Sequence, residues 1–361
     1  MSAVDIRPVV GLSLTLVCFV AAASAPVSGD STATVANVPT AEAAPASVIA
    51  PDAAVPMATA PAEPAAAATE SPTLGNDEIT EIVVQAPEAR YVAPTRRDRI
   101  GRIWAPVYIN DQGPFRLVLD TGASRSCVVA RVAKTLGIAP EDGHAIRLQA
   151  VTGSATVPTI KVDSLLIGDL LVTGSRLPII PDALGGAEGI LGNEGLKDRR
   201  VYIDFRHDLI TITHSHNRAA PPGFMTIPFK LERGRLLTVD AWTGRVRTKA
   251  IIDTGGQSTV GNMALRDALL RRGNQGNPSI DHIEGVTEEV QEGEGRNAPA
   301  IHFGPVEINS YRMTFADMRI FQYWKLTDEP VLLIGMDALG LLDTLIIDYH
   351  RSELQLRMRQ S

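Results

Sequence analysis

From about Ala86 onward, short apolar runs alternate with clusters of Gly, Asn, Asp and Pro. Trp104 to Ile109, Phe115 to Leu119, Val157 to Val162 and Leu209 to Ile212 are each of strand length, and the breaks between them have the composition of turns. Many short strands so closely spaced predict an all-β barrel or sandwich. Two short stretches carry helical periodicity instead. Val129, Val132, Ala133 and Leu136 fall on one face before Gly137. Leu265, Ala268 and Leu269 do the same between Asn262, a suitable N-cap, and Gly273.

The pattern is written twice. Leu117-Val118-Leu119 runs into Asp120-Thr121-Gly122, and Ala250-Ile251-Ile252 runs into Asp253-Thr254-Gly255, 133 residues later (120 to 253). Each elbow is followed by one of the two helical stretches and then by two apolar residues and a glycine, Ile190-Leu191-Gly192 and Leu333-Ile334-Gly335. The closing strands match as well, Tyr202-Ile203-Asp204-Phe205 against Ile346-Ile347-Asp348-Tyr349. One Asp-Thr-Gly is a common turn. Two, each after an apolar strand and each with its later glycine, are an internal repeat of lobe size. The break falls at His214 to Gly223, where Ala219-Ala220-Pro221-Pro222-Gly223 reads as a linker, so the two lobes span 87–216 and 217–361.

The first 86 residues have another texture. Arg7 followed by the apolar run Pro8 to Val20, with small residues at Ala21 to Ala25, reads as an export signal over residues 1–25. Its alternative is an uncleaved anchor that tethers the chain to a membrane. Residues 26–86 are mostly Ala, Pro, Thr, Ser and Val, too poor in large apolar groups to offset chain entropy, and predict a disordered spacer. Together they point to an exported, periplasmic protein, with inner-membrane anchoring or secretion as the other outcomes.

These motifs resemble the aspartic peptidases, over about residues 100 to 355. The stretch Tyr108-Ile109-Asn110-Asp111-Gln112-Gly113-Pro114-Phe115, entering Asp120-Thr121-Gly122-Ala123-Ser124, is similar to the retropepsin-like branch in a fused two-lobe form found in bacterial periplasmic proteins. The second elbow departs from it, with Gly256-Gln257 in place of Ala-Ser. The resemblance implies two pseudo-symmetric β-barrel lobes with a few short helices and an active-site cleft between them. It implies Asp120 and Asp253 as the catalytic pair, and Thr121, Gly122, Thr254, Gly255, Gly192 and Gly335 as their support. By the same resemblance the hairpin around Val151, Thr152, Gly153 and Ser154 takes the place of the flap that closes over substrate. The acidic stretch Gly285 to Val290 occupies the matching place in the second lobe and reads equally as an ordinary solvent hairpin.

The chemistry needs nothing more. Two carboxylates close together share one proton, so the ionised one activates a water while the neutral one hydrogen-bonds the scissile carbonyl. No metal or other cofactor is called for. The partner is a protein or peptide substrate, and two elbows in one chain make an active monomer sufficient. Because Ala123 and Gly256 bring no hydroxyl to the elbows, activity is expected in mildly acidic to near-neutral conditions. A net charge of -7 argues against nucleic acid as a partner. The competing reading is a peptide-binding or regulatory module that kept the fold and lost turnover.

Several features are expected to be structural. His214 and His216 lie in the linker without further ligands beside them. Cys127 lacks a His or Asn framework and reads as a small buried apolar residue. Arg96, Arg97, Arg99 and Arg102 read as a solvated charge run, and Glu284 to Glu294 as an acidic loop face.

Overall fold

A computed structural model describes residues 102–232, 236–273, 277–309 and 311–359, and the backbone alone at 13–14, 18–20 and 93–94. Apart from those short stretches, the expected export segment and spacer, with Arg96, Arg97 and Arg99, lie outside the described residues. The architecture is all-β with a few short helices, as the spacing of apolar runs predicts. Among the described residues no helix is long and apolar enough to cross a membrane.

The first lobe begins with a hairpin, β1 (Trp104–Ile109) and β2 (Gln112–Leu119). Asn110 and Asp111 both take left-handed backbone angles at its tip, φ 49° and 60°. That is the turn whose twist suits a two-residue hairpin, and Asn and Asp tolerate it. Ala105, Val107 and Ile109 alternate inward with no exposure, so the strand register is set by which face is apolar. After β3 (Cys127–Val129) comes α1 (Ala130–Leu136), which closes on Gly137 in the left-handed conformation with Val132, Ala133 and Leu136 buried. The short hairpin strands β4 (Ile146–Ala150) and β5 (Ser154–Val157) follow, then a long hairpin, β6 (Thr159–Ile167) and β7 (Leu170–Ile180). With β8 (Gly189–Leu191), the strands close into a barrel ordered β7-β3-β8-β2-β1-β6. Cys127 is a free thiol buried within it.

The lobe ends in the hairpin β9 (Arg199–Asp204) and β10 (Leu209–His214). The second lobe opens with β11 (Met225–Pro228), β12 (Lys230–Glu232), β13 (Leu236–Thr243) and β14 (Val246–Ile252). It continues through β15 (Val260–Gly261), α2 (Met263–Leu270), β16 (Ser279–Glu284), β17 (Val290–Ala298), β18 (Ile301–Phe303), β19 (Val306–Ile308) and β20 (Tyr311–Phe315). It ends with α3 (Arg319–Tyr323), β21 (Val331–Ile334), α4 (Met336–Leu339), β22 (Leu342–Asp348) and β23 (Glu353–Met358). Among the described residues its strands β12 to β21 belong to one sheet, whereas the first lobe's strands close into a barrel.

A shared sheet ordered β11-β23-β22-β9-β10 underlies both lobes. At its centre β9 and β22, one closing strand from each copy of the repeat, pair antiparallel from Arg200 opposite Asp348 to Asp204 opposite Thr344. The repeat therefore meets itself about a pseudo-two-fold axis.

The helix in each lobe packs behind its elbow, and α2 shows how tightly. Asn262, 2% exposed, accepts from Leu265 N at 2.9 Å and Val331 N at 3.1 Å, and donates to the carbonyls of Leu326 and Glu329, both at 2.7 Å. One side chain thus caps a helix and satisfies three further backbone groups. Asn262→Ala is expected to cost about 2 kcal/mol, the loss of a cap plus buried groups left unpaired. In thermal denaturation that corresponds to a fall of roughly 4–8 °C for a fold of this size.

Arg102 corrects the expectation of a solvated basic run. It is fully buried and donates to the Leu184 carbonyl at 3.0 Å.

Candidate active site

Both Asp-Thr-Gly elbows sit at the ends of matching strands. β8 runs parallel to β2 and β21 runs parallel to β14. At the last step of each pair the aspartate N–H is caught by a carbonyl of the neighbouring strand, Asp120 by Leu191 and Asp253 by Ile334, both at 3.0 Å. The strand ends there and its carboxylate is delivered to the seam between the lobes. Gly122 and Ala123 donate backbone N–H to Asp120 Oδ1 at 2.8 and 3.0 Å. Gly255 and Gly256 donate to Asp253 Oδ1, both at 3.0 Å. The departure at Gly256 therefore leaves the hydrogen bond to the second aspartate in place, because the backbone supplies it.

The threonines lock the elbows to each other. Thr121 Oγ1 donates to the Ile252 carbonyl and Thr254 Oγ1 to the Leu119 carbonyl, each at 2.7 Å across the lobes. Each hydroxyl also accepts the other threonine's N–H at 3.1 Å. Four crossed bonds between buried groups hold the two carboxylates in one fixed relation. The contact is close enough that a side chain at Gly255 would overlap the carboxyl of Asp120.

Gly192 and Gly335 lie beneath the elbows. A methyl at Gly192 would stand 2.5 Å from the Arg125 carbonyl carbon, and one at Gly335 would stand 2.7 Å from that of Ser258. Each glycine also gives its N–H to a hydroxyl, Gly192 to Ser126 at 3.0 Å and Gly335 to Thr259 at 3.1 Å. These hydroxyl residues are held in turn by acids. Ser126 N donates to Glu194 at 2.7 Å, and Thr259 donates to Asp337 through both its N–H and its hydroxyl, at 2.8 and 2.9 Å. Sequence reading missed this support. The signal was present, since Ser126 and Thr259 each follow their aspartate by six positions, and Glu194 and Asp337 each follow their glycine by two.

Asp120 and Asp253 are both completely buried. Burial, with the Asp120 charge beside it, holds the Asp253 carboxyl well above the ordinary carboxylate range, and the N–H groups of Gly255 and Gly256 offset this only in part. Such a pair keeps one proton where isolated aspartates would have lost both. Beneath it lies Tyr349, the counterpart of Phe205 in the repeat, edge-on to Phe229 with ring centres 5.9 Å apart. Burial, then the Asp120 charge, push its phenol above the usual range, so it stays neutral.

The roof is formed by both hairpins. The Ala150 N–H donates to the Gly153 carbonyl at 2.8 Å, which makes Val151 to Gly153 the tip between β4 and β5. Val151 is unexposed and packs with second-lobe residues that include Ile283, Met318 and Phe321. Its carbonyl accepts the Ile320 N–H from α3 at 3.3 Å. The acidic hairpin between β16 and β17 comes to meet it. A side chain at Gly153 would overlap the carboxyl of Glu289, and one at Gly285 would overlap the hydroxyl of Thr152. Ser154, the last of the expected flap residues, begins β5 and accepts from Arg147 at 3.2 Å.

Residues 105–194, the greater part of the first lobe, match the family described as Aspartyl protease. No curated protein matches the chain. This match, which contains the first elbow, the hairpin around Gly153 and Gly192, supports an aspartic peptidase family relationship.

Proposed function

We propose that the chain is an aspartic endopeptidase that hydrolyses peptide bonds of protein substrates with a water held between Asp120 and Asp253. The observation that carries this reading is the pair itself: two unexposed carboxylates brought together at the seam of the lobes, each fixed by two backbone N–H groups, with burial and the neighbouring charge raising the Asp253 carboxyl. A pair with one proton is at once a base and an acid. The ionised member takes a proton from the water as its oxygen attacks the scissile carbonyl carbon. The neutral member hydrogen-bonds the carbonyl oxygen as the tetrahedral species forms, and a proton then passes to the leaving amine as the C–N bond breaks. The roles belong to the pair and are not divided between its members.

The flap side is Val151, Thr152, Gly153 and Ser154, which close on the peptide once it lies in the cleft. One chain supplies both carboxylates, so an active monomer is sufficient. The activity is assigned to the periplasm on the strength of Arg7 and the apolar run Pro8 to Val20.

The test is cleavage of internally quenched peptides by the purified chain across pH. Turnover should need the singly protonated pair, so it should fall as pH rises through the raised Asp253 value and be retained in mildly acidic to near-neutral solution. A statine-type inhibitor, whose hydroxyl occupies the place of the attacking water, should abolish it. Cleavage indifferent to that inhibitor would remove the pair from the mechanism.

A further inference from the structure

We infer that the seam beside the flap is a specificity pocket for an acidic side chain of the substrate, an inference that rests on the peptidase reading above. A cavity of about 290 Å³ is lined by Arg147 and Gln149 from β4 and by Arg319, Gln322 and Tyr323 from α3. It is built from both lobes, and it adjoins the point where the Ile320 N–H meets the Val151 carbonyl at the flap tip. A group bound there is therefore in contact with the closing flap strand on one side and the second lobe on the other.

The lining fixes the chemistry of the occupant. Arg147 and Gln149 are two apart on a strand, so they project from the same face, while Leu148 and Ala150 turn into the core. Arg147 is steadied by Ser154 at 3.2 Å. Among the described residues neither Arg147 nor Arg319 has a carboxylate partner, in contrast to Arg116, Arg176, Arg200, Arg266 and Arg312, which are each paired. Two planar donors and two amides facing one cavity match a carboxylate, which accepts from guanidinium in a fork. The volume suits a side chain, and the peptide backbone stays in the cleft. The hairpin that carries Glu288 and Glu289 reaches the flap at Gly153, while the lining of the cavity itself contains no carboxylate.

The experiment walks Glu through each position of a fluorescein-labelled decapeptide set, against a matched set with Gln. Binding to the full chain carrying Asp120→Asn is measured by anisotropy, and cleavage by the unaltered chain is measured alongside. The expected result is a preference of about tenfold for Glu over Gln at one or two positions only, since a charge-assisted pair is worth about that factor. The chain's net negative charge disfavours acidic peptides uniformly, so a position-specific gain has no other source in the long-range field. Arg147→Gln should reduce the ratio towards one, and Arg319→Glu should invert it, favouring Lys at the same position. Equal binding of the two sets, a preference that survives both substitutions, or no binding of either set would overturn the pocket. A Glu preference in binding without cleavage by the unaltered chain would sustain the pocket and count against the peptidase reading alone.

Discussion

Asp253→Asn should reduce turnover by at least about a thousandfold while making the protein more stable at neutral pH. The loss follows from the division of labour. An amide at position 253 still accepts the N–H groups of Gly255 and Gly256, so the elbow is kept. What disappears is the shared proton, and with it either the base for the water or the acid for the carbonyl. Asp120→Asn should do the same, because the two elbows are held by matching bonds.

The gain in stability has the same origin. The folded Asp253 carboxyl sits well above its ordinary value because burial and the Asp120 charge both oppose ionisation. Below about pH 4 the folded and unfolded chains both hold the proton, and the aspartate costs nothing by this route. As pH rises from there through the raised folded value, the unfolded chain has released its proton and the folded chain has not, so stability is lost. Asparagine carries no such loss. The difference in melting temperature between Asp253→Asn and the unaltered chain should therefore be small near pH 4 and grow towards pH 7. Thermal scans at the two pH values, read beside the cleavage assay, test both halves. A variant that is inactive and equally destabilised at both values would mean that position 253 is structural.

What could be read in advance and what could not divide along the range of the interactions. The elbows, the two glycines and the hairpin around Gly153 are local patterns, a strand running into a turn or a turn between strands, and repetition raised them above chance. Gln257 looked like a departure because side chains are what a sequence displays. The bond that matters there comes from the Gly256 backbone, which any residue except proline supplies. Ser126 and Glu194 are 68 residues apart, and Thr259 and Asp337 are 78 apart, so nothing local joins them. Arg102 continued a run of arginines in the sequence, yet the chain turns inward there and the Leu184 carbonyl receives it. The seating of Val151 among second-lobe residues, and the pocket between β4 and α3, exist only once the two lobes are joined. Even the repeat misled in one respect. Equivalent elbows do not make equivalent sheets: among the described residues the first lobe's strands close into a ring, and β12 to β21 of the second run as one open sheet.

Gly335→Ala should be among the most damaging single-methyl changes in the protein, at a cost of roughly 4 kcal/mol. The added carbon would meet the Ser258 carbonyl carbon and oxygen at 2.7 Å and its nitrogen at 3.0 Å. All three are backbone atoms, so no rotamer change relieves the overlap, and β21 or the elbow has to move. Movement of β21 is transmitted directly to the site. Ile334, the preceding residue, accepts the Asp253 N–H, and Gly335 itself donates to Thr259, which Asp337 holds. The expected result is a fall in melting temperature of roughly 8–16 °C, with a loss of turnover larger than the remaining folded fraction explains. Gly273→Ala supplies the comparison. Nothing lies within 4 Å of a methyl there, and the change should stay within about 0.5 kcal/mol. If both substitutions are mild, the strand beneath the second elbow is able to retreat, and the tight glycine seat is not what fixes Asp253 in place.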